Sequence, residues 1–134
     1  MIIDTSALMC ILQAEPEARA IAHALAQDGT RQLSAGNFLE AGMLVQARYG
    51  DEGSRDLDLL LAKLRIQIVA FTSTQAEIAR RAFREFGKGR HPADLNFGDC
   101  IAYGLAKDTG EPLLFKGEDF RQTDVKPLIP QSTS

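Results

Sequence analysis

The chain has 134 residues, of which 45% are hydrophobic and 25% charged, with a formal net charge of −3. That length supplies one hydrophobic core rather than two, and the composition is that of a globular domain rather than a disordered tract. No apolar run approaches the ~20 residues that span a bilayer, and the acidic balance offers nucleic acid no global attraction, so such binding would depend on a local basic patch or a bound cation.

Apolar patterning alternates short runs with helical stripes, the signature of an α/β domain. Met1-Ile2-Ile3 predicts a first strand, and residues 5–13 a short helix entered through Asp4. Glu15-Pro16-Glu17 opens a second helix with Ala18, Ile21, Ala22 and Leu25 on one face and Gly29 near its end. His23 lies off the centre of that stripe and reads as a surface residue. Gln32 to Ala35 is a short strand, followed by a helix from Asn37 to Tyr49 whose stripe is Phe38, Ala41, Gly42, Val45 and Tyr49, closed by Gly50. Leu57, Leu60, Leu61 and Leu64 mark another helix ahead of the β-prone run Ile66 to Phe71.

Next comes a helix with Ala79, Ala82, Phe83 and Phe86 inward, then a loop from Gly87 to Pro92. From Asn96 to Thr109, Phe97, Cys100, Ile101, Gly104 and Leu105 share one face, and Gly110 is placed to end the helix. Pro112 to Phe115 predicts a strand, Lys116 to Phe120 a polar loop, and Thr123 to Val125 a last short strand. The expectation is a single domain over residues 1–130 with a loose tail at 131–134. The N-terminus has no basic region ahead of an apolar core, so no secretory signal is read there and a cytoplasmic protein is expected.

Four acids carry the chemistry. Asp4 follows the first strand, Glu40 and Asp99 lie in the first turns of predicted helices, and Asp119 follows the strand Pro112 to Phe115. In a parallel sheet, ligand sites form beyond the carboxyl ends of strands. Singly, each acid has a structural explanation: Asp4 as a helix cap, Asn37-x-x-Glu40 and Asn96-x-x-Asp99 as capping boxes, Asp119 as a turn former. Capping does not explain why acids recur at all four places, whereas one shared site does. Clustered carboxylates suit a hard cation such as Mg²⁺ or Mn²⁺, for which two direct ligands suffice. Cys10 and Cys100 lack metal-ligand spacing and read as buried thiols, and His23 and His91 are too isolated for a zinc site.

The segments Ile2-Ile3-Asp4-Thr5-Ser6-Ala7-Leu8, Phe38-Leu39-Glu40-Ala41, Leu95-Asn96-Phe97-Gly98-Asp99-Cys100-Ile101-Ala102-Tyr103 and Leu113-Leu114-Phe115-Lys116-Gly117-Glu118-Asp119-Phe120 resemble PIN-domain ribonucleases of the VapC toxin type. The resemblance covers nearly the whole chain. It implies a three-layer α/β/α fold with a mostly parallel central sheet, Mg²⁺- or Mn²⁺-dependent endonucleolytic cleavage of RNA to 5′-phosphate and 3′-hydroxyl ends, and a homodimer held by a VapB-like antitoxin. Asp4 and Asp99 match the principal metal ligands, Glu40 and Asp119 match the acids that complete the site, and Thr5 or Ser6 would orient a ligand or phosphate. Residues 51–90 carry no family motif that fixes substrate choice.

Arg80, Arg84 and Lys88 recur opposite an apolar stripe, and Arg81, Arg90 and His91 extend the positive region, where RNA phosphates could lie. The plainer reading is a solvated helix face in which Glu77 pairs with Arg81, and His91 is plainly a loop residue. Other classes fit less well. A haloacid-dehalogenase-like phosphotransferase wants a second aspartate where Ser6 stands, and a phospho-receiver domain wants an acidic pair near the first strand. A catalytically inactive PIN-like interaction module would not need all four acids.

Overall fold

The computed structural model describes residues 1–27, 29–89 and 91–128. Strand β1 (Ile2–Ile3) leads into α1 (Thr5–Leu12) and α2 (Ala18–Leu25); β2 (Gln32–Ser34) leads into the long α3 (Ala35–Lys63). Strand β3 (Gln67–Val69) precedes α4 (Ser73–Phe86) and α5 (Phe97–Thr109), and β4 (Leu113–Leu114) is joined through a 3-10 turn at Asp119–Gln122 to β5 (Pro127–Leu128). The described strands form one sheet in the order β3-β2-β1-β4-β5, with every neighbouring pair parallel.

Three layers follow from two-residue alternation. Ile2 and Leu113 face a core built with α4 and α5, which includes Ala79, Ala82, Phe86, Tyr103 and Leu105. Their neighbours Ile3 and Leu114 face the opposite core, with Leu8, Ile21, Leu25, Val45 and Leu57 from α1, α2 and α3. Because successive side chains on a strand point to opposite faces, Ile-Ile and Leu-Leu pairs suit a sheet covered by helices on both sides. The three-layer α/β/α fold is therefore as expected. No helix among the described residues is long and apolar enough to cross a membrane.

Several elements depart from the sequence reading. The helix expected at Asn37 begins earlier, with Ser34 as its cap accepting from Gly36 N at 3.3 Å. Asn37 therefore does not cap that helix. The two helices expected on either side of Gly50 run on as one helical stretch with an elbow, because Gly50 alone leaves helical geometry, at φ 66° and ψ −153°. The strand expected over Ile66 to Phe71 is shorter, and the last strand lies at Pro127–Leu128 rather than Thr123 to Val125. Val125 is buried in the core instead, while Thr123 ends the 3-10 turn and its hydroxyl donates to Phe120 O at 2.7 Å.

Two aromatics assigned inward are at the surface. Phe97 is 82% exposed and Phe83 41%, and both line an open apolar groove between α4 and α5. Tyr49, expected on the buried stripe, is exposed as well, its hydroxyl bonded to Gln13 Oε1 at 3.1 Å. Both cysteines are buried, and burial pushes each thiol up to about 11, which leaves them protonated and inert at neutral pH. His23 is exposed, as read from the sequence. The tail at 131–134 lies outside the described residues.

Candidate active site

Strand order reverses at β1: the chain moves outward through β2 and β3, then returns to place β4 on the other side of β1. Such a reversal opens a crevice beyond the carboxyl ends of the strands. Asp4 stands at its floor, one residue past β1, with its N–H donating to Leu114 O at 2.9 Å. It caps α1 by accepting from Ser6 N at 3.0 Å and is only 3% exposed. Asp99 is the third residue of α5 and forms the expected capping box, Oδ2 accepting from Asn96 N at 3.0 Å while Asn96 Oδ1 accepts from Asp99 N at 2.9 Å. Capping and site membership are thus compatible, since the box occupies one carboxylate oxygen.

Glu40 sits on the second turn of α3, half-buried, and Asn37 Nδ2 donates to its Oε1 at 3.4 Å. Its carboxylate lies against the backbone of Gly98, so closely that a Cβ at that position would overlap it. Asp119 opens the 3-10 turn at the exposed rim. Electrostatics tie the four together. Burial lifts the Asp99 carboxyl to about 7, and Asp4, Asp119 and Glu40 each push it in the same direction. Burial, less the relief of the Ser6 hydrogen bonds and with Glu40 adding to it, lifts Asp4 to about 6. Acids from four separate stretches of chain thus act on one crevice.

Among the described residues, no three histidine, cysteine, aspartate or glutamate side chains make a preformed metal cage. The donor set is instead a close pair of hard carboxylates with two more acids around it. That fits Mg²⁺, which binds through one or two carboxylates and keeps several waters, and it does not fit zinc. Each of the paired aspartates has one oxygen fixed by a backbone N–H, which orients the group and leaves the other oxygen for a cation.

The hydroxyls of Thr5 and Ser6 are engaged within the protein. Thr5 Oγ1 donates to Asn37 O at 3.4 Å, and Ser6 Oγ accepts from Lys116 N at 3.0 Å, tying the loop that carries Asp119 to the start of α1. Lys116 Nζ also pairs with Glu15 at 3.2 Å, and that carboxylate raises the lysine's pKa. Arg80, Arg81, Arg84 and Lys88 are all exposed. No ion pair joins Glu77 to Arg81 among the described residues, and Arg90 lies outside them. His91 belongs to the loop, its Nδ1 accepting from Ala93 N at 2.9 Å and its ring edge-on to Phe86. Arg80 shares an apolar groove of about 410 Å³ with Phe71, Phe83, Phe97, Cys100 and Ile101, beside the turn that bears Asp99.

Two site residues escaped the sequence reading: Asn37, taken for a cap, and Gly98. Their only linear signal is position, three residues before Glu40 and one before Asp99.

A family model described as PIN domain matches residues 1–126. The VapC ribonuclease Mb0640 of Mycobacterium bovis is 50% identical over 125 residues, covering 93% of this chain and 95% of that protein. A ribonuclease VapC of Mycolicibacterium smegmatis is likewise 50% identical over 125 residues, covering 93% of this chain and 97% of its own length. Among solved structures, Mycobacterium tuberculosis VapC20, described as a sarcin-ricin loop cleaving toxin, has a TM-score of 0.76 at 16% identity over 96% of this chain and 98% of its own. Rickettsia felis VapBC2, bound to a DNA fragment from its promoter, has a TM-score of 0.76 at 15% identity, covering 98% of each chain. These two show a shared fold. The family match and the identities show more: the chain belongs to the PIN-domain family and, within it, to the VapC ribonucleases.

Proposed function

We propose that this chain is the toxin of a VapBC-type toxin–antitoxin pair, an endoribonuclease that hydrolyses RNA phosphodiester bonds with Mg²⁺ or Mn²⁺ held by Asp4 and Asp99. The observation that carries the reading is the convergence of Asp4, Glu40, Asp99 and Asp119 from separate elements on one crevice, where burial and the other three acids raise the Asp99 carboxyl. Such a cluster in a crevice binds a proton or a cation in place of mutual repulsion.

A divalent ion in this position supplies a Lewis acid for the phosphoryl oxygens and lowers the pKa of a bound water. The chain's own part is orientation. Ser6 N and Asn96 N fix the two aspartates, and Glu40 or Asp119 positions the attacking water or accepts its proton, leaving 5′-phosphate and 3′-hydroxyl ends. Thr5 and Ser6 brace the acids rather than touch phosphate, given the partners their hydroxyls already have. RNA phosphates lie along Arg80, Arg84 and Lys88.

The proposal puts its action in the cytoplasm, where cellular RNA and a VapB-like antitoxin would both meet it. A homodimer and a VapB-like antitoxin complete the proposal, supported by the exposed apolar surface at Phe71, Phe83 and Phe97, the kind of patch that marks protein contacts. Asp4→Asn is expected to keep the α1 cap, since an amide oxygen can still accept from Ser6 N, while cleavage falls by at least about ten- to a hundredfold, the cost of disturbing a metal site. Cleavage of RNA at the native rate by Asp4→Asn would overturn the reading.

A further inference from the structure

Asn37 is fully buried, yet its side chain serves neither the cap of α3 nor the core. Its Nδ2 donates to Gly98 O at 3.0 Å, across 61 residues of sequence, and to Glu40 Oε1 at 3.4 Å. Its own carbonyl accepts from Thr5 Oγ1, next to Asp4. Asn37 thus touches all three segments that bear the inner acids. The orientation of its amide is not arbitrary. Flipping it would set Oδ1 against the Gly98 carbonyl and the Glu40 carboxylate, both acceptors. In the orientation observed, Oδ1 is buried with no hydrogen-bond partner among the described residues. A buried acceptor left without a donor is unfavourable, so a residue chosen for stability alone would be apolar here.

Gly98 supplies the other half of the arrangement. It lies in the first turn of α5, where alanine is the better helix former, and its φ is not positive, so the backbone gives no reason for glycine. What excludes a side chain is Glu40: the three atoms nearest to a Cβ at position 98 are the two carboxylate oxygens and the carbon of Glu40. The missing Cβ is the space that the Glu40 carboxylate occupies.

We propose that Asn37 and Gly98 form a clamp that seats the Glu40 carboxylate beside Asp99, with Asn37 a positioning residue for the metal site. Gly98 gives the carboxylate its place, and the Asn37 amide holds it there while tying α3 to the first turn of α5. The proposal rests on the four-acid reading of the site and assigns to Glu40 a specific seat within it. Removing the hydrogen-bonded support of a site acid commonly costs about ten- to a hundredfold in metal affinity.

The test is Mn²⁺ binding to the antitoxin-free chain, read as free Mn²⁺ by electron paramagnetic resonance, for Glu40→Ala, Asn37→Ala, Gly98→Ala and the two double variants that contain Glu40→Ala. Each single variant is expected to weaken Mn²⁺ by about tenfold or more. In the Glu40→Ala background, neither Asn37→Ala nor Gly98→Ala should weaken it further, because both act through the side chain already removed. Full additivity in the doubles, or native affinity in Asn37→Ala and Gly98→Ala while Glu40→Ala is impaired, would overturn the clamp and leave the four-acid site standing. Native affinity in Glu40→Ala would overturn the clamp as a support for metal binding and leave Asp4 and Asp99 as the ligands. If Asn37→Ala fails to fold by circular dichroism, Gly98→Ala, which favours the helix, decides the matter alone.

Discussion

Asp99 carries two tasks that compete for one carboxylate. As part of a capping box it must accept from Asn96 N, and as a member of the acid cluster it must tolerate Asp4, Asp119 and Glu40 nearby. Its carboxyl is lifted to about 7, against roughly 3.9 in an unfolded chain. Between those values the folded state holds a proton that the unfolded state has released, so stability of the metal-free protein falls as pH rises. Thermal melts in EDTA from pH 4 to 8 are expected to show the native chain losing stability relative to Asp99→Asn, whose amide can still accept from Asn96 N. A native chain that gained stability over Asp99→Asn through that range would contradict the raised carboxyl. The acid was legible in the sequence because it stands in the first turn of a well-defined helical stripe, in an Asn96-x-x-Asp99 capping box. Asn37 was not, because an asparagine three residues before a glutamate reads locally as a cap, and its real contact, with Gly98, is far away in sequence.

At the scale of elements, the sequence separated helix from strand wherever an apolar stripe was long enough to have a period. All five helical stretches and the first four strands came close to their observed places. The last strand did not, since two residues carry no alternation, and Pro127 weighs against a strand except at a sheet edge, which is where β5 lies. Gly50 was read as a stop and proved to be an elbow. A stop and an elbow share the same residue because both need a backbone shape that other residues avoid, and only packing beyond the bend, through Leu57 and Leu61, decides that the helix resumes. At φ 66° and ψ −153° it occupies a region open to almost nothing but glycine. Beyond the adjoining backbone, no atom of the described residues stands within 4 Å of a Cβ added there, so the cost of Gly50→Ala is conformational alone. Denaturant unfolding is expected to register a loss of about 1–3 kcal/mol, and a neutral substitution would show that the elbow is not strained.

At the scale of the whole molecule, Arg80 of the basic helix face comes within one groove of the turn that bears Asp99. Arg80 lines the groove beneath Phe97, and Lys88 N bonds to Leu95 O just before α5 begins, so the face of α4 runs toward the turn that holds Asp99. The net charge of −3 therefore conceals a local polarity that composition could not reveal. Reversing charge at Arg84 and Lys88 together is expected to raise the RNA concentration for half-maximal cleavage by about tenfold in moderate salt with kcat little changed, since exposed phosphate contacts bind substrate and transition state alike. An unchanged KM would remove α4 from the RNA path. The apolar rim at Phe97 shows the same limit of sequence reading: a helical stripe tells which residues are apolar, not which of them a neighbouring helix reaches to cover.

The most direct test of a metal-dependent ribonuclease is cleavage of total cellular RNA and purified tRNA by the antitoxin-free protein, with Mg²⁺, Mn²⁺ or EDTA, beside Asp99→Asn. Discrete fragments that require the divalent ion and fall by at least about a hundredfold in the variant are the expected result. Fragments that persist in EDTA or in a folded Asp99→Asn protein would contradict the acid-cluster mechanism.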